Sequence, residues 1–172
     1  MKIHILTTGG TIDKIYFDQL SEYQVGEPQI GEVLREVHVA IEWEIESILR
    51  KDSLELTDED RAMIRRSVEA TSCDRVLVTH GTDTMCETGR LLCGIEGKTI
   101  VLTGSLAPAM FKTSDAIFNI GFALACVQIL PPGVYIAMNG RVFDPRRSRK
   151  NRAANIFEET SGEPDRGAPD RA

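Results

Sequence analysis

Nine segments of the chain stand out by the spacing of their apolar residues. IHILTT (3–8), HVAIEWEI (38–45), DRVLVTH (74–80), KTIVLTG (98–104) and GVYIAMN (133–139) are continuously apolar or alternate with period two, and predict strands. IGEVLREV (30–37), DEDRAMIRRSVEAT (58–71), TMCETGRLLCGI (84–95) and SDAIFNIGFALACV (114–127) predict helices between them. This alternation specifies an α/β fold, a mostly parallel sheet flanked by helices on both faces. Most of the strands are apolar on both sides, as a sheet covered on both faces requires. The exception is HVAIEWEI, where Val39, Ile41, Trp43 and Ile45 alternate with mostly acidic residues and predict a strand near an edge. Thr57, followed by Asp58, Glu59 and Asp60, reads as a helix N-cap with acids against the helix dipole, and Ser114 as a second cap. The stretch from Asp13 to Gly26 is polar, holds aromatic residues and is long for a strand-to-helix connection, which predicts a mobile flap. From Ser161 onward the chain is polar and rich in Pro and Gly, which predicts a disordered tail.

A length of 172 residues predicts one domain with a sizeable core. The net charge of -6 argues against nucleic-acid and anionic-membrane partners. AIFNIGFALACVQIL is interrupted by Asn119, Gly121 and Gln128 and is short of the roughly 20 apolar residues a bilayer demands, so it reads as a buried helix. The start of the chain lacks the pattern of a secretory signal, and the expectation is a cytoplasmic protein. Cys73, Cys86, Cys93 and Cys126 have no CxxC spacing and read as reduced core thiols, with no metal expected. His4 and His38 read as structural.

Three predicted strands end in glycines set among hydroxyl residues: TTGGT (7–11), VTHGTDT (78–84) and LTGSLAP (102–108). In an open α/β sheet the carboxyl ends of the strands form the ligand-binding edge, so Thr11 and Thr82 are expected to face one crevice. GxxxxGK[ST], GxGxxG and GxSxG are all absent, which removes the usual signatures of phosphate, dinucleotide and nucleophile-elbow sites. A threonine nucleophile remains, and it needs a base and N–H donors for the oxyanion. Asp83 adjoins Thr82, and Lys150 in RRSRKN is a candidate partner if burial or neighbouring cations favour its neutral form. On these residues alone, RRSRK reads rather as a solvated basic patch, and HGTDT equally as a capped turn or a site.

TGGTI (8–12) and THGTDTM (79–85), as an ordered pair, resemble the two signature segments of the bacterial-type L-asparaginases. The likeness continues through DSLELTDED, LTGSLAP, TSDAIFN and MNGRVFDPRRSRKN and covers residues 1–157, the family's N-terminal domain; 158–172 are left as the expected tail, and the family's second, C-terminal domain has no counterpart. The resemblance implies hydrolysis of L-asparagine to L-aspartate and ammonia through an acyl-enzyme, without cofactor or metal and with low glutaminase activity. By the same resemblance Thr11 is the nucleophile and Tyr23, in the flap, assists it. Thr82 orients the attack, Asp83 holds the substrate amino group and Lys150 partners Thr82. Ser53 grips the α-carboxylate, Gly10 gives the substrate room, and the backbone at Gly104 and Ser105 lines the amide. Leu54 stands where secreted members often carry a polar contact. In the family an acidic residue of the second domain also binds the amino group, a role left here to Glu158, Glu159 or Asp83 alone. A homodimer or homotetramer is expected. The rivals are an amidase or ammonia-supplying amidotransferase subunit acting on glutamine, and a non-catalytic amino-acid-binding module.

Overall fold

The structure, a computed structural model, describes residues 1–17 and 22–160. Its main sheet contains β1 (Lys2–Gly9), β4 (Glu42–Lys51), β5 (Arg75–Thr79), β6 (Thr99–Thr103), β7 (Gly133–Met138) and β8 (Arg141–Phe143), in the order β4-β1-β5-β6-β7-β8. The first five are parallel, and β8 adds antiparallel to β7. The helices are α1 (Ile30–Glu36), α2 (Asp58–Ala70), α3 (Met85–Leu92) and α4 (Ala116–Ile129).

Strand alternation sends side chains to two separate cores. Ile3, Ile5, Leu77, Val101 and Ala137 pack against α1 and α4 through Ile30, Leu34, Ile120 and Val127. Leu6, Val76, Val78, Ile100, Leu102 and Ile136 face the other way, onto Ile64 and Val68 of α2 and Met85 and Leu92 of α3. The continuous apolar runs follow from this arrangement, since every second residue serves one of two covered faces. Each large side chain so buried contributes about 1.5–3 kcal/mol.

HVAIEWEI does supply the edge strand, but β4 begins only at Glu42 and runs on to Lys51. Val39, Ile41, Trp43 and Ile45 all pack against the α1/α4 core. His38 is not in the strand: it sits exposed in the turn after α1 with φ of 51°. His4 is buried and bonds Thr71 Oγ1 at 2.6 Å.

Thr57 caps α2 through a reciprocal box, its Oγ1 accepting from Asp60 N at 3.2 Å and Asp60 Oδ2 accepting from Thr57 N at 3.0 Å. Ser114 is not the N-cap of α4; that position falls on Asp115, although Ser114 Oγ accepts from Ala116 N at 3.0 Å. The stretch expected as a flap contains a strand pair, β2 (Lys14–Phe17) antiparallel to β3 (Glu22–Val25), and residues 18–21 lie outside the description. A second pair joins β9 (Ser148–Asn151) to β10 (Ile156–Glu159). The expected boundary between 157 and 158 therefore falls inside a strand, and Glu158 and Glu159 are not tail. Residues 161–172, on which the disordered tail was expected, are outside the described part. Among the described residues no helix is long and apolar enough to cross a membrane, and no group of His, Cys, Asp and Glu is arranged to hold a metal ion.

From β1 the chain crosses to β4 on one side and then returns to β5 on the other side of β1. The connections leaving β1 and β5 thus diverge, opening a crevice at their carboxyl ends, the usual ligand position in such sheets.

Candidate active site

The glycine turns meet at this crevice. Gly9 and Gly10 have φ of 94° and 91°, in the region open to glycine, and their flanks are filled by backbone. A Cβ on Gly9 would lie 2.7 Å from the backbone of Lys51 at the end of β4, and one on Gly10 would lie 2.5 Å from Gly81. A Cβ on Gly81 would in turn strike Ser53 at 2.6 Å, and one on Gly104 would approach His80 O to 2.3 Å. Gly10, Ser53, Gly81 and Gly104, from four separate connections, are therefore in close succession. Thr8 Oγ1 adds a bond to Thr79 O at 2.9 Å, joining the ends of β1 and β5.

Thr11 opens a short 3-10 turn directly after Gly10 and is half-buried. Thr82 follows Gly81 and is 4% exposed. Lys150, carried by β9 from 68 residues further along the chain, donates to Thr82 Oγ1 at 2.6 Å and to Asp83 Oδ1 at 2.9 Å. Its side chain is 9% exposed, which separates it from the solvated arginines around it. Arg152 Nε lies 3.4 Å from the same Asp83 oxygen.

Ser53 begins a 3-10 turn after β4, capped by Asp52, and is buried; its Oγ has no hydrogen-bond partner. Such a hydroxyl costs free energy where it stands and is available to a ligand. Thr84 Oγ1 fixes the turn by donating to Ser53 O at 2.8 Å. Asp52 pairs with Lys14 of β2 at 2.6 Å. Asp52 and Lys14, with Tyr23 and the exposed Leu54, line a cleft of about 440 Å³.

Tyr23 is half exposed and packs edge-on against Tyr16 at 5.5 Å and Phe111 at 5.9 Å between ring centroids. Among the described residues, neither Tyr23 nor Thr11 makes a side-chain hydrogen bond to the Thr82, Asp83 and Lys150 cluster. Ser105 is buried and its hydroxyl is spent locally, donating to Ala107 O at 2.5 Å. Glu158 is engaged by Arg149 at 2.7 Å and Asn151 at 3.2 Å, and Glu159 by Arg141 at 3.3 Å.

Sequence reading missed several supports of the site. His80 is fully buried: Nδ1–H donates to Gly81 O at 2.7 Å while Nε2 accepts from Thr88 Oγ1 at 2.8 Å. Burial holds its pKa down at about 4, so the ring stays neutral and braces the Gly81 turn. Asp115 accepts from the N–H groups of Leu106 and Ala107, at 3.0 and 3.1 Å, and from Asn119 Nδ2 at 2.9 Å, setting the loop after β6. Asp13, two residues beyond Thr11, is buried. Ile12 and Ile15 beside Asp13 were the local signal for its burial; nothing local marked Asp115, whose bonds reach back eight and nine residues.

A family model described as asparaginase, N-terminal, matches residues 2–162. An L-asparaginase of Thermococcus kodakarensis is 34% identical over 83% of this chain and 45% of its own length. A glutaminase-asparaginase of Acinetobacter glutaminasificans is 30% identical over 69% of this chain and 37% of its own. The crystal structure of L-asparaginase I from Vibrio cholerae superposes with a TM-score of 0.82 at 27% identity, covering 95% of this chain and 52% of that one. The chain thus spans about half the length of the relatives it matches. With the two threonine turns meeting at the switch point of a sheet shared with these proteins, the chain belongs to the asparaginase family and corresponds to its N-terminal domain.

Proposed function

We propose that this chain hydrolyses L-asparagine to L-aspartate and ammonia with Thr11 as nucleophile. The observation that carries the reading is Lys150 Nζ at 2.6 Å from Thr82 Oγ1 and 2.9 Å from Asp83 Oδ1, on the crevice that Gly10 and Thr11 border. Thr11 Oγ attacks the side-chain carbonyl, its proton passing to a group of the site, and N–H donors including that of Thr82 hold the oxyanion. Collapse breaks the C–N bond and, as the proton taken from Thr11 passes to the nitrogen, releases ammonia. Water then cleaves the Thr11 ester to aspartate and restores the hydroxyl. Ser53 Oγ, unpaired in its buried position, takes the α-carboxylate, and Asp83 takes the α-ammonium. Tyr23 assists from β3. Glu158 and Glu159 pair with Arg149 and Arg141 on β9 and β8 and, among the described residues, make no bond to the Thr82, Asp83 and Lys150 cluster.

Ammonia release from asparagine and glutamine by the chain, by Thr11→Ala and by Thr82→Ala tests the reading. Turnover of asparagine that both substitutions abolish is the expected result. No release from either amide overturns it in favour of an amino-acid-binding module. Glutamine as the better substrate, an outcome to which the glutaminase-asparaginase relative gives weight, would replace the substrate and keep the mechanism. Self-association as a dimer or tetramer belongs to the same proposal, supported by Ile117, Phe118 and Ile129 exposed along α4. Sedimentation of the chain as a monomer would remove that part.

A further inference from the structure

The turn that carries Thr11 is fastened at its far end by Asp13, besides a bond from Ala109 N to Ile12 O at 3.0 Å. Asp13 N donates to Gly10 O at 3.2 Å, Asp13 O accepts from Gly26 N at 2.8 Å, and Asp13 Oδ1 accepts from Gln29 N at 2.9 Å. Gly10 precedes Thr11, whereas Gly26 and Gln29 lie beyond β3 at the entry to α1. One residue thus ties the nucleophile turn to the return of the chain, at the base from which β2 and β3 project. Its side chain is almost wholly buried. The charged groups around it are committed elsewhere: Arg50 of β4 is paired with Glu27, and Lys14, next in the chain, with Asp52. Among the described residues no cation forms an ion pair with Asp13 itself.

We propose that Asp13 is a positioning residue that locks the base of the β2/β3 pair to the Thr11 turn, and that ionisation of its carboxyl loosens the lock. Burial pushes this carboxyl up to about 7, against the opposing influence of the Gln29 hydrogen bond and the Arg50 charge. The carboxylate is disfavoured while the base is closed and is free to ionise near its ordinary value once the base opens to water. Opening therefore becomes easier as pH rises from about 4 to about 7 and levels off above, where both forms are ionised.

Amide hydrogen exchange at Gly26 and Gln29, in the full chain and in Asp13→Asn, measures this directly. At each pH the ratio of the two rates cancels the base catalysis of exchange common to both proteins. The ratio of wild type to variant should rise about tenfold or more between pH 5 and 7 and then stay level. A ratio that is flat across this range overturns the proposal. Should Asp13→Asn fail to fold, the wild-type rates normalised to the exposed Ala153 amide carry the same expected rise and the same contrary outcome. A second readout rests on the asparaginase reading: Asp13→Ala should lower kcat for asparagine about tenfold, and Asp13→Asn, which keeps the acceptor for Gln29 N, should restore most of it at pH 6. Loss of kcat equal in both variants would refute the positioning role. The exchange result is independent of turnover, so failure of the hydrolase reading would leave it standing.

Discussion

On the proposed reading, Lys150 and Ser53 serve a ligand rather than the fold. Lys150 gathers Thr82 and Asp83 at one ammonium, yet Asp83 also has Arg152 beside it and is partly exposed, so the fold can spare the lysine. Lys150→Met should therefore lower kcat for asparagine by about a hundredfold or more while leaving the melting temperature within a few degrees. A large loss of thermal stability with unchanged kcat would make Lys150 a structural ion pair instead. Ser53 offers the opposite contrast. Its buried Oγ is unpaired, so Ser53→Ala should leave stability in urea unchanged or raised by up to about 1 kcal/mol, while raising KM. Destabilisation beyond that would mean the hydroxyl has a partner in the free protein.

At the level of elements, the turns are held by backbone meeting backbone, which makes glycine obligatory at particular places. Gly10→Ala would need both an unfavourable φ and the displacement of Gly81, so it should cost at least about 2–3 kcal/mol in chemical denaturation and remove activity. Thr57→Ala, which removes only the Oγ1 acceptor at the cap of α2, should cost about 1 kcal/mol with little change in kcat. Comparing these two in urea and in turnover separates a site turn from an ordinary cap. The Thr57 cap was legible in sequence because every atom it uses lies within three residues. The start of α4 was not, because the Asp115 carboxylate is drawn away to the N–H groups of Leu106 and Ala107.

For the whole molecule, two buried titrating groups pull stability in opposite directions. His80 stays neutral in the fold down to about pH 4 and is protonated below 6.5 when unfolded, so its contribution rises with pH through that interval. Asp13 keeps its proton up to about pH 7 in the fold and loses it near 3.8 when unfolded, so its contribution falls as pH rises between those values. The two slopes, each about 1.4 kcal/mol per pH unit, offset each other between about pH 4 and 6.5. Asp13→Asn removes one of them, and its unfolding free energy relative to wild type should climb steadily from pH 4 to 7. Parallel pH profiles for the two proteins would show that Asp13 titrates normally.

The order of the five parallel strands and four helices, the two-sided core, the edge character of the strand holding Trp43 and the glycines of the turns were all written in local spacing. Period and turn chemistry act over a few residues and are fixed before the chain meets itself. Which turns become neighbours was decided only by the sheet order, in which β1 separates β4 from β5 and opens the crevice between diverging connections. The burial of Lys150 against Thr82, the capture of Glu158 and Glu159 by arginines, and the strand pair within the Asp13–Gly26 stretch belong to the same category. Their partners are chosen by three-dimensional packing, and for Lys150 the counter-group lies 67 residues away in the chain.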